Sequence, residues 1–138
     1  MSDEEKIYKI IGAAMSVHSY LKHGLAESVY QEALSFEFKD QEIPFEEEVQ
    51  VPIIYKNHRL NKYYQLDFLC YDNIIVELKS AAGITSEHRA QLFNYLRITQ
   101  NVYGILLNFG ESSLHIERYQ YNPVTNQCEG FHNKILEN

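Results

Sequence analysis

Two acidic residues and a lysine lie close together near the middle of the chain, in the stretch YQLDFLCYDNIIVELKS at residues 64–80. Apolar and polar residues alternate on both sides of its Asp-Asn pair, which predicts two β-strands joined by a tight turn. Glu77 and Lys79 are two residues apart on the second strand, so their side chains point to the same face, and Asp67 lies on the first strand. The apolar residues between them point the other way, into a core.

These residue types suit a hard divalent cation. Two carboxylates can bind Mg²⁺ or Mn²⁺ and leave coordination positions for water and a phosphate oxygen, and the backbone carbonyl of Leu78 would be a further oxygen ligand. Lys79 would orient an attacking water or help to deprotonate it, and would offset the negative charge that develops on a phosphate. The same side chains also fit a solvated polar group on an exposed sheet face, and their short spacing alone does not decide between the two.

A second polar group is predicted on one face of a later helix. His88, Gln91 and Tyr95 are separated by steps of three and four, which places them on the same helical face. A glutamine amide and a tyrosine hydroxyl can contact a phosphate or a nucleobase, although an ordinary hydrated helix surface has the same pattern. We expect the packing residues of this helix at Ala90, Phe93 and Leu96.

Two further candidates come from the first two predicted helices. His18 lies on the apolar stripe of the first helix, where a lone histidine is usually a buried packing residue. Glu27 follows the start of the second helix, where a carboxylate interacts favourably with the helix dipole. Either side chain is a candidate for an additional metal ligand or an orienting group.

The elements that position these residues follow from the periodicity of apolar positions. We expect helices over residues 3–21, 26–40 and 86–99 and strands over residues 45–55, 60–70, 74–80, 101–108 and 113–119. This order predicts an α/β (α+β) fold with a mixed sheet flanked by helices. Pro52 within the first strand indicates an edge position or a bulge. We expect one domain over residues 1–120 and a loosely packed polar tail over residues 121–138, with at most a short terminal helix.

Composition narrows the class of protein. The chain has 138 residues and is 45% hydrophobic, which is typical of a folded single domain. Its apolar runs are far shorter than the ~20 residues that span a bilayer, and its acidic N-terminus lacks a signal pattern. We therefore expect a cytoplasmic protein without a membrane partner. The two cysteines, Cys70 and Cys128, do not have the spacing of a zinc or iron–sulfur site.

The net charge of −7 restricts how this chain can meet nucleic acid. Tight nonspecific binding to phosphates normally requires a basic surface, so the charge argues against it. A local site remains compatible with the charge, because a bound metal ion can supply the positive charge there.

Several of these motifs resemble one superfamily when they are taken together. Asp67 followed by Glu77-Leu78-Lys79 resembles the signature of PD-(D/E)XK nuclease-fold proteins, although Leu66 stands where that name has proline. Gln91 and Tyr95 match the Q-x-x-x-Y motif of its RecB-like branches. GLAESVY at residues 24–30 matches the motif of the GxxExxY family, and the resemblance extends over about residues 7–118. Lys22-His23 stand where relatives tend to have Gly-Pro.

The resemblance implies a restriction-endonuclease-like αβββαβ core. It also implies catalytic roles for Asp67, Glu77, Lys79 and Glu27, and metal ligation by Asp67, Glu77 and the Leu78 carbonyl, with His18 or Glu27 as a further ligand. Gln91 and Tyr95 would line the site, and we expect Tyr30 and His88 to join them in binding substrate. Members of this superfamily mostly hydrolyse DNA phosphodiester bonds.

Three functions are consistent with these expectations. The first is a Mg²⁺- or Mn²⁺-dependent nuclease that acts on DNA. The second is a nuclease-fold module with weak or no turnover that binds nucleic acid or protein, which the net charge of −7 favours. The third is a subunit of a larger nuclease or repair assembly, in which exposed strand edges would suit a homodimer.

Overall fold

A six-stranded sheet and three helices make up residues 1–130, the part of the chain that the computed structural model describes. The elements in chain order are α1 (Asp3–Leu21), α2 (Glu27–Asp40), β1 (Phe45–Tyr55), β2 (His58–Cys70), β3 (Ile74–Lys79), α3 (Ser86–Thr99), β4 (Tyr103–Asn108), β5 (His115–Asn122) and β6 (Gln127–Gly130). Every predicted helix and strand is present. Most of their ends lie within two residues of the predicted positions.

The strands follow chain order across the sheet, from β1 at one edge to β6 at the other. Neighbouring strands are antiparallel except β3 and β4, which are parallel and are connected through α3. A parallel pair requires a crossover of this kind. The mixed sheet and the αβββαβ order predicted from the sequence are therefore confirmed.

Helices cover both faces of the sheet. α1 and α2 pack on one face, where Ile11 and Leu34 share a buried cluster with Phe68. α3 covers the other face, where Leu92 and Leu106 belong to a second buried cluster. Because β3 and β4 are covered on both faces, their sequences IIVEL and GILLN are almost continuous apolar runs.

Local signals explain why the helices begin where they do. Ser2 caps α1 by accepting a hydrogen bond from the backbone N–H of Glu5 at 3.2 Å. Thr85 caps α3 in the same way, by accepting a hydrogen bond from the backbone N–H of His88 at 3.2 Å. None of the helices within residues 1–130 is long and apolar enough to span a bilayer.

The first strand combines both features that its proline indicated. β1 is an edge strand, and its register with β2 shifts between Pro52 and Ile54. An edge position and a bulge each remove the need for the missing proline N–H in the ladder.

The C-terminal region differs from the expected loose tail. β5 continues to Asn122 and β6 pairs with it, so residues 120–122 and 127–130 belong to the sheet. Tyr121 explains the difference, because its ring is buried against the α3 face and its backbone N–H donates to the carbonyl of Val102 at 2.7 Å. The prediction of a short terminal helix concerns residues outside the described part of the chain.

The packing stripe of α3 also differs from the expected one. Leu92, Tyr95 and Leu96 are buried, whereas Ala90 is exposed and Phe93 is half-buried against Tyr119. Only Leu96 of the expected stripe is fully covered. Tyr95, expected on a polar face with His88 and Gln91, belongs to the second cluster instead.

Candidate active site

A gap between β2 and β3 holds the two acidic side chains of the central stretch. The backbone ladder between these strands covers residues 68–70 and 74–76. Beyond it, the backbone N–H of Asp67 donates to Glu77 Oε2 at 2.7 Å, and the backbone N–H of Leu78 donates to Asp67 Oδ2 at 2.8 Å. Each carboxylate thus satisfies a backbone donor of the other strand, which fixes one oxygen of each residue where the strands separate.

Burial makes this pair of acids difficult to ionise. Glu77 is only 3% exposed, and burial followed by the neighbouring Asp67 charge raises its pKa well above the ordinary value. The pKa of Asp67 rises to about 6, again chiefly through burial, although the hydrogen bond from Leu78 acts in the opposite direction. One buried and one half-buried carboxylate with raised pKa values form a site that a cation would stabilise.

The remaining oxygens of the pair fit a divalent metal ion. Asp67 Oδ1 and Glu77 Oε1 accept no hydrogen bond from the described residues, so each is available as a ligand. No group of three histidine, cysteine, aspartate or glutamate side chains within residues 1–130 is arranged to hold a metal. Two carboxylate oxygens could hold a cation that retains several waters, as Mg²⁺ commonly does. Ligation by the Leu78 carbonyl stays a prediction.

Lys79 lies at the end of β3 beside the acidic pair. Its charge acts to lower the pKa values of both Asp67 and Glu77, although burial outweighs this effect. Lys79 Nζ donates a hydrogen bond to Gln91 Oε1 on α3 at 3.0 Å. Gln91 thus holds the lysine in place, a role that the spacing of the sequence did not predict.

Tyr95 faces the same pair from α3, one turn beyond Gln91. Burial, followed by the negative charges of Glu77 and Asp67, raises the pKa of Tyr95 to about 12, so its hydroxyl stays protonated and can donate a hydrogen bond. Its ring packs against Tyr64 of β2 with the ring centroids 5.3 Å apart. The residue is therefore both part of the core and a polar group directed at the site.

Glu27 begins α2 on the exposed side of the pair. Its charge is close enough to raise the pKa values of both Asp67 and Glu77. Ser80, directly after β3, donates to the carbonyl of Leu25 at 2.7 Å and ties the turn before α2 to the sheet. A role for Glu27 as a metal ligand or catalytic group stays a prediction.

His18 is held away from the acidic pair. It is buried, and its Nε2 lies 2.9 Å from the carbonyl oxygen of Glu111, with its ring 6.1 Å from that of Phe109. Of the two roles considered, the geometry supports the packing residue rather than the metal ligand.

Tyr30 is also a packing residue, which corrects its prediction as a substrate contact. Its side chain is fully buried and stacks on Phe109 with the ring centroids 4.8 Å apart. Its hydroxyl donates to the carbonyl of Lys22 and accepts from the N–H of Leu25 at 3.2 Å. The tyrosine therefore fixes the turn between α1 and α2 and has no surface left for a ligand.

His88 has its own local partner at the start of α3. Its Nδ1 accepts a hydrogen bond from the backbone N–H of Thr85 at 3.1 Å, which completes the capping box of that helix. This bond accounts for the histidine without a substrate, and only its other ring nitrogen is left for one.

A second polar cluster lies on the same sheet face and was not predicted. Glu117 on β5 receives two hydrogen bonds from Arg89, at 2.7 and 2.8 Å, one from Tyr119, and lies 2.7 Å from His115 Nε2. Burial alone would raise the pKa of Glu117, but these hydrogen bonds outweigh it and lower the pKa to about 2. The alternation of β5 was the available signal for its own residues, because it sets His115, Glu117 and Tyr119 on one face, whereas Arg89 comes from α3.

Comparison with known proteins was consistent with the resemblance in the sequence. Residues 4–119 match a family model described as the PD-(D/E)XK nuclease superfamily. No curated protein and no solved structure matched the chain in the same comparisons. The matched segment contains the acidic pair, Lys79 and all of α3.

Proposed function

The chain belongs to the PD-(D/E)XK nuclease superfamily, and from this membership we propose that it hydrolyses DNA phosphodiester bonds with the help of Mg²⁺ or Mn²⁺. Nucleases of this superfamily generally use divalent metal ions. The observation that carries the proposal is the pair of half-buried Asp67 and buried Glu77, which leaves one oxygen of each carboxylate without a hydrogen bond from the described residues. Lys79, held by Gln91, completes the set.

Each side chain has a distinct task in this proposal. Asp67 Oδ1 and Glu77 Oε1 would hold the cation, which would supply Lewis-acid polarisation of the phosphate and lower the pKa of the attacking water. Lys79 orients the attacking water and stabilises the negative charge that develops on the phosphate oxygens. Glu27 is the candidate acceptor of the water's proton, since its carboxylate is exposed near the pair.

Two residues on α3 position the catalytic lysine and offer a hydrogen-bond donor to the substrate in this proposal. Gln91 positions Lys79 through the 3.0 Å hydrogen bond, and the protonated hydroxyl of Tyr95 can donate to a phosphate oxygen. These two residues are the reason to propose a RecB-like branch within the superfamily. Gly24, Glu27 and Tyr30 support the GxxExxY family in the same way, because the tyrosine fixes the turn that presents the glutamate.

Cleavage of labelled DNA and RNA, each single- and double-stranded, tests the proposal with Mn²⁺ and with EDTA. We expect metal-dependent cleavage of DNA, and a loss of about 100-fold or more in Lys79→Ala and Asp67→Ala. Lys9→Ala and Asp40→Ala are the matched controls, because both residues are exposed on other helices. Absence of cleavage in every substrate, or full activity in both site variants, would overturn the nuclease proposal.

A second candidate is a module that binds nucleic acid or protein without turnover. The net charge of −7 favours this second candidate, because a negative charge weakens the binding of a polyanionic substrate during catalysis. Failure of millimolar Mn²⁺ to bind in calorimetry would select this function. Both candidates are compatible with a homodimer through the exposed edge strand β1 or with a place in a repair assembly, which light scattering after size exclusion would test.

A further inference from the structure

β1 and β2 extend beyond the rest of the sheet as a two-stranded arm. They pair with each other from Phe45 opposite Cys70 to Tyr55 opposite His58, whereas the ladder of β2 with β3 covers residues 68–70. We call residues 49–66 the hairpin arm. At its base, Tyr64 and Leu66 pack with the cluster under α3, and its outer part at residues 54–63 is exposed throughout.

The charge of the hairpin arm is opposite to that of the rest of the chain. Residues 49–66 contain Lys56, Arg59 and Lys62 and no aspartate or glutamate. The net charge of −7 is therefore +3 on the arm and −10 on the remaining residues. Within residues 1–130 these three cations form no salt bridge, so their charge is directed to solvent.

The arm also exposes aromatic and apolar side chains that pack on no other element. Tyr55 and Tyr63 are 59% and 51% exposed, and Lys56 Nζ lies 5.5 Å from the centre of the Tyr55 ring. Cationic residues interleaved with tyrosines are typical of surfaces that contact both the phosphates and the bases of nucleic acid.

The arm is continuous with the candidate active site. Asp67 directly follows the arm on β2. Lys62 is on the same strand face as Tyr64 and Leu66, which pack against α3. At about 3.3 Å per residue, Lys62 and Arg59 lie roughly 16 Å and 26 Å along the strand from Asp67. These distances correspond to about five and eight base pairs of B-form DNA, at about 3.4 Å per pair.

We propose that the hairpin arm lies in the major groove of double-stranded DNA and holds its phosphates through Lys56, Arg59 and Lys62. A two-stranded ribbon fits the B-form major groove, which is about 12 Å wide, whereas the deep and narrow major groove of A-form RNA excludes it. The strongly acidic remainder of the protein repels phosphates, so the arm selects how the duplex approaches. This inference rests on the proposed function for the identity of the substrate, but the arm's binding does not require cleavage.

The test measures affinity for a fluorescein-labelled 24-base-pair DNA duplex by anisotropy in EDTA, between 50 and 200 mM salt. The arm variant Lys56→Ala/Lys62→Ala is compared with the control Lys9→Ala/Lys39→Ala, which removes the same charge from exposed positions on α1 and α2. Each phosphate contact contributes about 0.9 to the slope of log affinity against log salt, so we expect the arm variant to lose about 1.8 and the control to keep the wild-type slope.

Equal slopes for the two double variants, or no binding of the duplex by the wild type at 50 mM salt, would overturn the proposal. An RNA duplex of the same sequence bound as tightly as DNA would overturn the groove assignment. Because EDTA prevents metal-dependent cleavage, the outcome is separable from the nuclease test. A protein that does not cleave DNA can still show the difference in salt slope between the arm variant and the control. A protein that cleaves DNA can lack this difference.

Discussion

Replacement of Asp67 by asparagine should make the metal-free protein more stable at pH 8. The pKa of Asp67 is raised from 3.8 to about 6, chiefly by burial, and a tenfold difference in proton affinity corresponds to about 1.4 kcal/mol. The ionised carboxylate therefore costs the folded state about 3 kcal/mol at pH 8. Asparagine removes the charge and keeps an oxygen that can accept the N–H of Leu78.

The raised pKa of Asp67 also determines how the stability of the wild type changes with pH. Because the folded pKa lies above the unfolded one, the proton stabilises the folded state fully below about pH 4, and this stabilisation is lost as the pH rises through about 6. Asp67→Asn should consequently gain up to about 3 kcal/mol over the wild type at pH 8 and little at pH 3.5. Saturating Mn²⁺ should reduce this difference in the free energy of unfolding, because only the wild type binds the ion. A ligand at 100 times its Kd stabilises the protein that binds it by about 2.7 kcal/mol.

Urea denaturation in EDTA at several pH values measures the free energy of unfolding directly. Glu32→Gln is the matched control, because Glu32 is exposed in the middle of α2, and it should change the stability by less than about 0.5 kcal/mol. An Asp67→Asn protein that is less stable than the wild type at pH 8 would refute the reasoning, as would a gain that is the same at pH 3.5.

Three further predictions concern the residues around the site. Gln91→Leu should lower the initial cleavage rate about tenfold or more, and Gln91→Glu should retain most of it, because an acceptor oxygen holds Lys79. Tyr30→Phe should lower the free energy of unfolding by about 1–3 kcal/mol in urea without changing Mn²⁺ affinity, because it removes two part-buried hydrogen bonds between the hydroxyl and the backbone of the turn. Glu117→Gln should cost about 1–2 kcal/mol at pH 7 and little at pH 2, since the folded pKa of about 2 confers stability that is lost as the pH falls through it.

Local patterns made most of the fold predictable. α1 begins and ends as its capping serine and regular apolar spacing indicate, and the continuous apolar sequences of β3 and β4 mark them as central strands. β6 was missed because a short edge strand buries little, so its sequence is polar. Tyr121 beside it and Cys128 within it both pack on the second cluster.

The residues of the site could be predicted from the sequence, but the hydrogen bonds between them could not. A hairpin necessarily brings Asp67 and Glu77 together, but the exchange of backbone hydrogen bonds between them depends on where the strands separate. Tyr30 was assigned to substrate because a motif gives residue types and not the direction of a hydroxyl. The Glu117 cluster joins β5 to α3 across 28 residues, and no local spacing encodes such a contact.

Titration of the protein with Mn²⁺ by calorimetry at pH 8 tests the central claim most directly, that the acidic pair is a site for a divalent cation. The account predicts saturable binding by the wild type that is lost in Glu77→Gln and Asp67→Asn and retained in Glu32→Gln. The wild-type affinity should fall as the pH is lowered through about 6, where Asp67 takes up a proton. No binding at millimolar Mn²⁺, or equal affinity in wild type and both site variants, would contradict it.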